Sequence, residues 1–324
     1  MTVSEDFTST TGRFRGELLA HCYRMLGSAD EAEDLVQETY LRAWRSYDRF
    51  EGRSSVRTWL YRIATNVCLT AIGRRGRRPL PSGLGGPAQD AQTPLVAGPE
   101  VPWLQPFPTA LLAGEREDPA SVVASRAGIR LAFVAALQYL SARQRAILIL
   151  RDVLEWPAAE VADLLGTTAT AVNSGLRRAR AQLAQELPAE DELAEPADAD
   201  QLAMLERFAA SVENADASAL AGLLREDVAL EMPPVLTWFT GRQAVVAFVA
   251  AKLFTGPGDL QLVPVIANRQ PAFAVYRRER DDSYVAHALL VPTLTGTGIA
   301  RIVAFQDASL FDSFGLPPLR PGRA

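Results

Sequence analysis

The sequence predicts two all-helical domains followed by an α+β domain, and three observations carry that reading. Apolar residues recur at helical spacing from Phe14 to Ile72 and again from Val122 to Leu187. From Gln201 the pattern changes to amphipathic helices and then to alternating or apolar runs separated by turn residues. Between these blocks lie a Pro/Gly-rich stretch, residues 79–119, and an acidic, alanine-rich stretch, residues 188–200. A chain of 324 residues exceeds the roughly 100–200 of an ordinary domain. It divides as 1–78, a tether 79–119, 120–187, a second tether 188–200, and 201–324.

The first helix runs from about Phe14 and stops at Gly27. Ser28 then offers an N-cap with Glu31 three residues on, so a second helix starts near Ala29. Val36, Tyr40, Ala43 and Trp44 share one face of it, and Asp30, Asp34, Gln37, Glu38 and Leu41 the other, an acidic face expected to point outward. After the loop Asp48–Ser54, a third helix has Val56, Trp59, Leu60, Ile63 and Val67 as its core stripe. Arg57, Tyr61, Arg62, Thr65 and Asn66 lie largely to the other side. In the Pro/Gly-rich stretch regular structure is expected to be sparse, while Trp103 and Phe107 are unusual for a free tether and are expected to dock.

Further helices are expected at 122–140, 141–150, 157–165 and 168–187. Pro157 suits a first helical turn, Gly166 a left-handed stop, and Thr168 a cap for a helix whose Val172, Leu176, Ala179 and Leu183 repeat at four, three and four. A short helix, a glycine turn and a longer helix ending in Arg177-Arg178-Ala179-Arg180 make a helix-turn-helix pattern. In the last domain, helices near 202–212, 220–224 and 242–253 precede strand-like runs at 260–266, 272–276, 284–291 and 299–305, expected to form an antiparallel sheet.

The net charge of −5 argues on average against a polyanionic partner, but the charges are in blocks. Asp30, Glu31, Glu33, Asp34, Glu38, Asp48 and Glu51 precede Arg53, Arg57, Arg62, Arg74, Arg75, Arg77 and Arg78, a cationic segment without an acid. Glu186 to Asp200 is anionic again. No run approaches the ~18 apolar residues of a membrane span, and the N-terminal Glu5-Asp6 pair does not suit a signal peptide, so a cytoplasmic protein is expected. Cys22 and Cys68 are too few for a disulfide framework, and His21-Cys22 too little for zinc. A phosphate-binding glycine loop is absent, and no cofactor is expected.

Two of these segments resemble a known family. Residues 13–78, with Asp30-Glu31-Ala32-Glu33-Asp34-Leu35-Val36-Gln37-Glu38-Thr39-Tyr40-Leu41-Arg42-Ala43-Trp44, Phe50-Glu51-Gly52 and Arg57-Thr58-Trp59-Leu60-Tyr61-Arg62-Ile63-Ala64-Thr65-Asn66, resemble region 2 of the extracytoplasmic-function branch of sigma-70 factors. Residues 122–187, with Leu140-Ser141-Ala142-Arg143-Gln144-Arg145 and the helix-turn-helix, resemble region 4. The tail resembles SnoaL-like domains. The resemblance implies a region 2 helical bundle, a region 4 helix-turn-helix and a SnoaL-like α+β cone. It also implies core RNA polymerase as partner, through its β′ clamp and β flap, and promoter DNA.

Carried over by position, Glu33, Asp34, Gln37, Glu38 and Leu41 would meet the polymerase. Phe50, Arg53, Arg57, Tyr61, Arg62, Thr65 and Asn66 would serve the −10 element and melting, where stacking and backbone neutralisation are needed. Thr170, Ala171, Asn173, Ser174 and Arg177 would read the −35 element, with Arg178 and Arg180 on phosphates. Asn173 and Gly175 stand where relatives often carry Lys and Arg, so phosphate affinity is expected to be lower. The tail would modulate activity in cis, by self-interaction or with a small-molecule ligand. Rival readings are a one-component DNA-binding regulator and a SnoaL-like isomerase or cyclase, for which Glu231, His287 and Asp307 are the tail residues to inspect.

Overall fold

The structure, a computed structural model, describes residues 3–52, 54–112, 128–186 and 199–322. It forms two compact units, one of residues 1–78 and 104–187, the other of residues 79–103 and 188–324.

The first unit opens with helices α1 (Val3–Thr11), α2 (Arg15–Leu26), α3 (Ala29–Ser46) and α4 (Val56–Arg75). Gly27, at φ 75°, ends α2, and Ser28 Oγ accepts from the Glu31 amide at 3.3 Å to start α3. Glu31 does not return to the cap. Its carboxylate pairs instead with Arg75 and, at 2.8 Å, with Arg78. Leu18, Cys22, Met25, Ala32, Val36, Leu60, Ala64 and Cys68 are buried together as the bundle core.

Helix α1 was not legible in the periodicity. Its Phe7 packs edge-on against Tyr40, Trp44 and Tyr47, with centroids 6.4, 5.2 and 5.2 Å away. Trp44 therefore sits at the rim, 43% exposed, and not on the inward face expected of it. Trp59 is likewise only half-buried, because Phe50 lies on it at 4.8 Å outside the core.

The same unit holds α5 (Leu131–Leu137), α6 (Ala142–Leu148), a π turn (Ile149–Val153), α7 (Ala158–Leu164) and α8 (Ala169–Glu186). Residues 122–127 of the expected helix lie outside the described residues. Ser141 and Gln144 form a capping box for α6, Gly166 turns at φ 58°, and Thr168 Oγ1 accepts from the Ala171 amide at 3.2 Å. Phe107 docks as expected: it is fully buried, 4.7 Å from the Tyr23 ring. Beside it, the Gln105 amide donates to Gly27 O at 2.9 Å and Tyr23 Oη to Gln105 O at 2.8 Å.

The second unit has α9 (Ala199–Glu213), α10 (Ala217–Ala221) and α11 (Arg242–Lys252) against a sheet of β1 (Leu224–Glu231), β2 (Phe239–Thr240), β3 (Leu260–Ala267), β4 (Gln270–Arg278), β5 (Tyr284–Thr295), β6 (Gly298–Phe305) and β7 (Leu319–Arg320), with α12 (Leu310–Ser313) before the last strand. The order is β2-β1-β6-β5-β4-β3, with β7 on β5. Phe208 and Val212 of α9 and Val245 and Phe248 of α11 share one core with Phe273, Val275 and Ile302 of the sheet, the helix-on-sheet cone that the resemblance implied.

Two expectations fail here. Leu224 begins β1 and does not end a helix, and β1 runs parallel to β6, so the sheet is mixed. In β1 the period-2 signal is broken, since Arg225, Glu226 and Asp227 interrupt the apolar residues before the run Val228–Leu230. Trp103, expected to dock on a domain or partner, is half-buried, and its indole donates to Gly98 O at 2.8 Å, five residues back in the same stretch.

Candidate nucleic-acid and polymerase interface

The outer face of α3 is acidic, as its spacing implies. Asp34, Gln37 and Leu41 are exposed, Leu41 by 52%. Glu33 and Glu38 are half-buried and engaged: Arg15 bonds Glu33 at 2.9 Å and Arg42 bonds Glu38 one turn away at 2.7 Å. Among the described residues the face thus presents two carboxylates without an arginine on them, Asp30 and Asp34, followed by an amide and an apolar side chain.

The expected −10 residues divide differently. Arg53 lies outside the described residues. Asn66 is exposed, and Phe50 forms a half-buried aromatic group with Trp59 and Tyr47. Tyr61 and Thr65, expected on the open side of α4, are instead buried. Polar partners inside the bundle draw them in: Tyr61 Oη donates to Glu17 at 3.1 Å, and Thr65 Oγ1 lies 3.0 Å from His21 Nε2. Arg57 pairs with Glu17 at 2.6 Å and lies over the Tyr61 ring. The remaining cover comes from the 128–186 half of this unit, where Trp156 meets the Tyr61 ring edge-on at 6.1 Å and Asp163 of α7 pairs with Arg62 at 2.7 Å.

Burial first, then the neighbouring Arg24, lowers the His21 pKa to about 3, so the folded ring is neutral. Below about pH 6.5 the unfolded chain takes up a proton that the folded chain refuses, and stability falls with acidification down to about pH 3. At pH 5 this site costs about 2 kcal/mol relative to pH 7.5. Urea melts of wild-type and His21→Gln protein at the two pH values should differ in pH dependence by about that amount; equal dependence would refute the assignment.

In the helix-turn-helix, Val172, Leu176 and Ala179 of α8 face inward, while Thr170, Ala171, Asn173, Arg177 and Arg178 are exposed and Ser174 is half-buried. Arg180 is engaged by Asp152 through two bonds of 2.8 and 2.7 Å. Gly175 is buried, and a Cβ there would lie 2.9 Å from Ile147 Cδ1. Its glycine serves the close approach of α8 to α6, so a side chain at this position would meet protein. Sequence reasoning missed that, because inward positions of a basic helix are not marked by charge.

Neither of the other two tail residues joins Glu231. Glu231 is fully buried, His287 bonds Arg277 at 2.9 Å, and Asp307 accepts from Ser309 in a local turn. His287 is the extra residue of a bulge between β4 and β5, and burial, then Arg277, lowers its pKa to about 4. Among the described residues no helix is long and apolar enough to cross a membrane, and no three metal-ligating side chains come together.

Comparison with known proteins agrees with this anatomy. Sigma-70 region 2 matches residues 12–78, and Sigma-70, region 4 matches residues 130–183. Over 314 residues, 96% of this chain and 84% of the other, it is 49% identical to the ECF RNA polymerase sigma factor SigG of Mycobacterium tuberculosis H37Rv. The chain belongs to the extracytoplasmic-function sigma factors. This sigma factor is also 28% identical over 323 residues to SigJ of the same organism, covering 96% of this chain and 94% of SigJ. Its fold matches the crystal structure of M. tuberculosis SigJ, at 21% identity, with a TM-score of 0.62 over 98% of this chain and all of the other. By family it is a transcription initiation factor.

Proposed function

We propose that the chain binds core RNA polymerase through the outward face of α3, at the β′ clamp, with region 4 at the β flap, and directs it to promoters. Region 2 engages and melts the −10 element, the helix-turn-helix reads the −35 element, and the C-terminal domain modulates both in cis without catalysis of its own. The exposed line Asp34, Gln37 and Leu41 on α3 carries this reading, since among the described residues no ion pair or hydrogen bond engages those side chains, while the neighbouring Arg15 and Arg42 are paired with Glu33 and Glu38. Run-off transcription with core enzyme and a promoter library tests it: specific transcripts are expected, and none at any promoter would defeat it.

Within that reading Arg177, exposed two turns into α8, is a base reader. Arg177→Ala should weaken promoter recognition by ~1–3 kcal/mol, concentrated at one base pair, and leave core binding intact. A uniform loss over all sequences with a smaller salt slope would make it a phosphate contact.

A further inference from the structure

One end of the C-terminal domain's core opens into a cleft of about 200 Å³, between the end of α11 and the strands β3 and β4. Lys252, Thr255, Asp259, Arg277 and Arg278 supply its polar lining, Leu253 and Leu260 its apolar part. Phe273 and Val275 of β4 belong to the core shared with α9 and α11. Two residues on, Arg277 falls on the same face, paired in register with Leu260 of β3. The strand therefore carries a cation where its alternation would otherwise continue the core.

The bulge in β5 serves that cation. It supplies His287, whose Nε2 accepts from Arg277 Nη2 at 2.9 Å. The ring is neutral at physiological pH, so it steers the guanidinium without adding or cancelling charge. Asp259 is engaged elsewhere: its carboxylate accepts from Thr255 Oγ1 at 2.6 Å and Arg278 Nη2 at 2.5 Å, and its carbonyl from the Arg278 amide at 2.8 Å. The loop carrying it is pinned at Gly258, whose amide donates to Glu213 O of α9 at 2.7 Å and whose carbonyl accepts from Tyr284 Oη of β5 at 2.7 Å. Among the described residues no carboxylate pairs with Lys252 or Arg277, so two positive charges line the cleft uncompensated.

Lys252 is the only lysine among the 33 Lys and Arg residues of the chain. A cation in the last turn of α11 complements the helix dipole, but arginine does so equally well, and arginine stands at every other basic position. The two side chains differ toward an anion: an ammonium is a compact point charge, whereas a guanidinium presents a planar fork to two oxygens at once. One of each suits a phosphate, which has oxygens for both. The adjoining β4–β5 turn carries Glu279, Asp281 and Asp282 around Arg280, so the cationic patch ends abruptly and suits a small anion, not the extended backbone of DNA.

We propose that this cleft binds a small phosphate-bearing ligand, with the phosphate held between the Lys252 ammonium and the Arg277 guanidinium. A phosphomonoester carries a charge of about −1.5 to −2 at neutral pH, which the two cations match. The volume equals that of roughly seven waters, enough for a phosphate with a small organic substituent. The site stands independently of polymerase docking and gives the domain a soluble ligand of its own.

The lone lysine supplies the probe. Reductive methylation with isotopically labelled formaldehyde keeps its charge and gives the full chain one dimethyl-lysine NMR signal, apart from that of the amino terminus. In about 0.1 M chloride, where exposed charges beyond ~10 Å are screened, inorganic phosphate and glycerol phosphate should move that signal with saturation, half-complete at or below roughly 1 mM. Arg277→Gln should raise the half-saturating concentration by about tenfold or more, and Lys252→Gln should do the same in calorimetry with glycerol phosphate. Arg280→Gln removes an equal charge outside the cleft and should change it by less than about twofold. Drift without saturation in wild type, or an equal loss in Arg280→Gln, would overturn the site. Equal saturation by malonate at matched ionic strength would overturn the assignment to phosphate, and a response to duplex DNA with none to free phosphate would overturn the small ligand. Core polymerase enters none of these measurements, so their failure leaves the docking of α3 untouched.

Discussion

Replacing Asp34 with Lys and Leu41 with Glu should lower affinity for core RNA polymerase by about a hundredfold and remove promoter-specific transcription. Both side chains are exposed on the outer face of α3, two turns apart, and neither contributes to the bundle core. Truncating an apolar anchor at the centre of an interface costs ~2 kcal/mol or more, and setting like charges against each other adds further to that. Substitutions at such surface positions usually change stability by no more than ~0.5 kcal/mol, so the circular dichroism spectrum and melting temperature should stay as in wild type. Fluorescence anisotropy of labelled protein titrated with core enzyme reads the affinity. Glu38→Gln is the useful contrast, because Glu38 already spends its charge on Arg42, and it should cost less than tenfold. Wild-type binding and transcription by the double variant would sink the assignment of α3 as the docking face.

Apart from α1, the helices of the first unit were legible because their signals are local. Ser28 and Thr168 cap where the sequence places caps, and Gly27 and Gly166 turn where it places stops. The acidic face of α3 was legible for the same reason: spacings of three and four fix a face, and charge tells which way it points.

What was not legible depends on partners distant in sequence. Tyr61 and Thr65 occupy the polar side of α4, yet Glu17 and His21 of α2 offer them buried hydrogen bonds, and Trp156 closes over the ring. Helical periodicity records where a side chain starts, not which polar group receives it. The parallel pairing of β1 with β6 and the binding of residues 79–103 by the 231–239 segment are long-range in the same way. Glu231 could be flagged as a carboxylate in an apolar run, but its partner Ser82 is bonded through its backbone, which no side-chain motif announces. The docking of Phe107 was readable only in part, since an aromatic in a proline-rich stretch signals burial and leaves its host, Tyr23, unnamed.

Removing the Arg145 guanidinium should cost the first unit ~3 kcal/mol and lower its melting temperature by roughly 6–12 °C. Arg145 of α6 is 1% exposed and has no carboxylate within reach among the described residues. Its charge is balanced by acceptors alone: the Met25 carbonyl in the last turn of α2, Gln138 Oε1 at 2.8 Å, and the carbonyls of Gln138 and Leu140 at 3.4 and 3.3 Å. These carbonyls lie at or just beyond the C-terminal ends of α2 and α5, where unsatisfied C=O groups concentrate negative potential. Burial lowers its pKa to about 10, which still leaves it charged at neutral pH.

Arg145→Ala orphans these acceptors and opens a cavity; Arg145→Met fills the space but not the hydrogen bonds and should recover about a third of the loss. Lys in its place keeps the charge without the planar fork and should fall between Met and wild type. Because Met25 belongs to region 2 and Arg145 to region 4, the loss also loosens the halves whose contact covers Tyr61 and Arg62. Acrylamide should then quench Trp156, buried in the wild type, more strongly in Arg145→Met at a temperature where that variant remains folded. A melting temperature within about 1 °C of wild type in Arg145→Ala would show that the guanidinium holds nothing together.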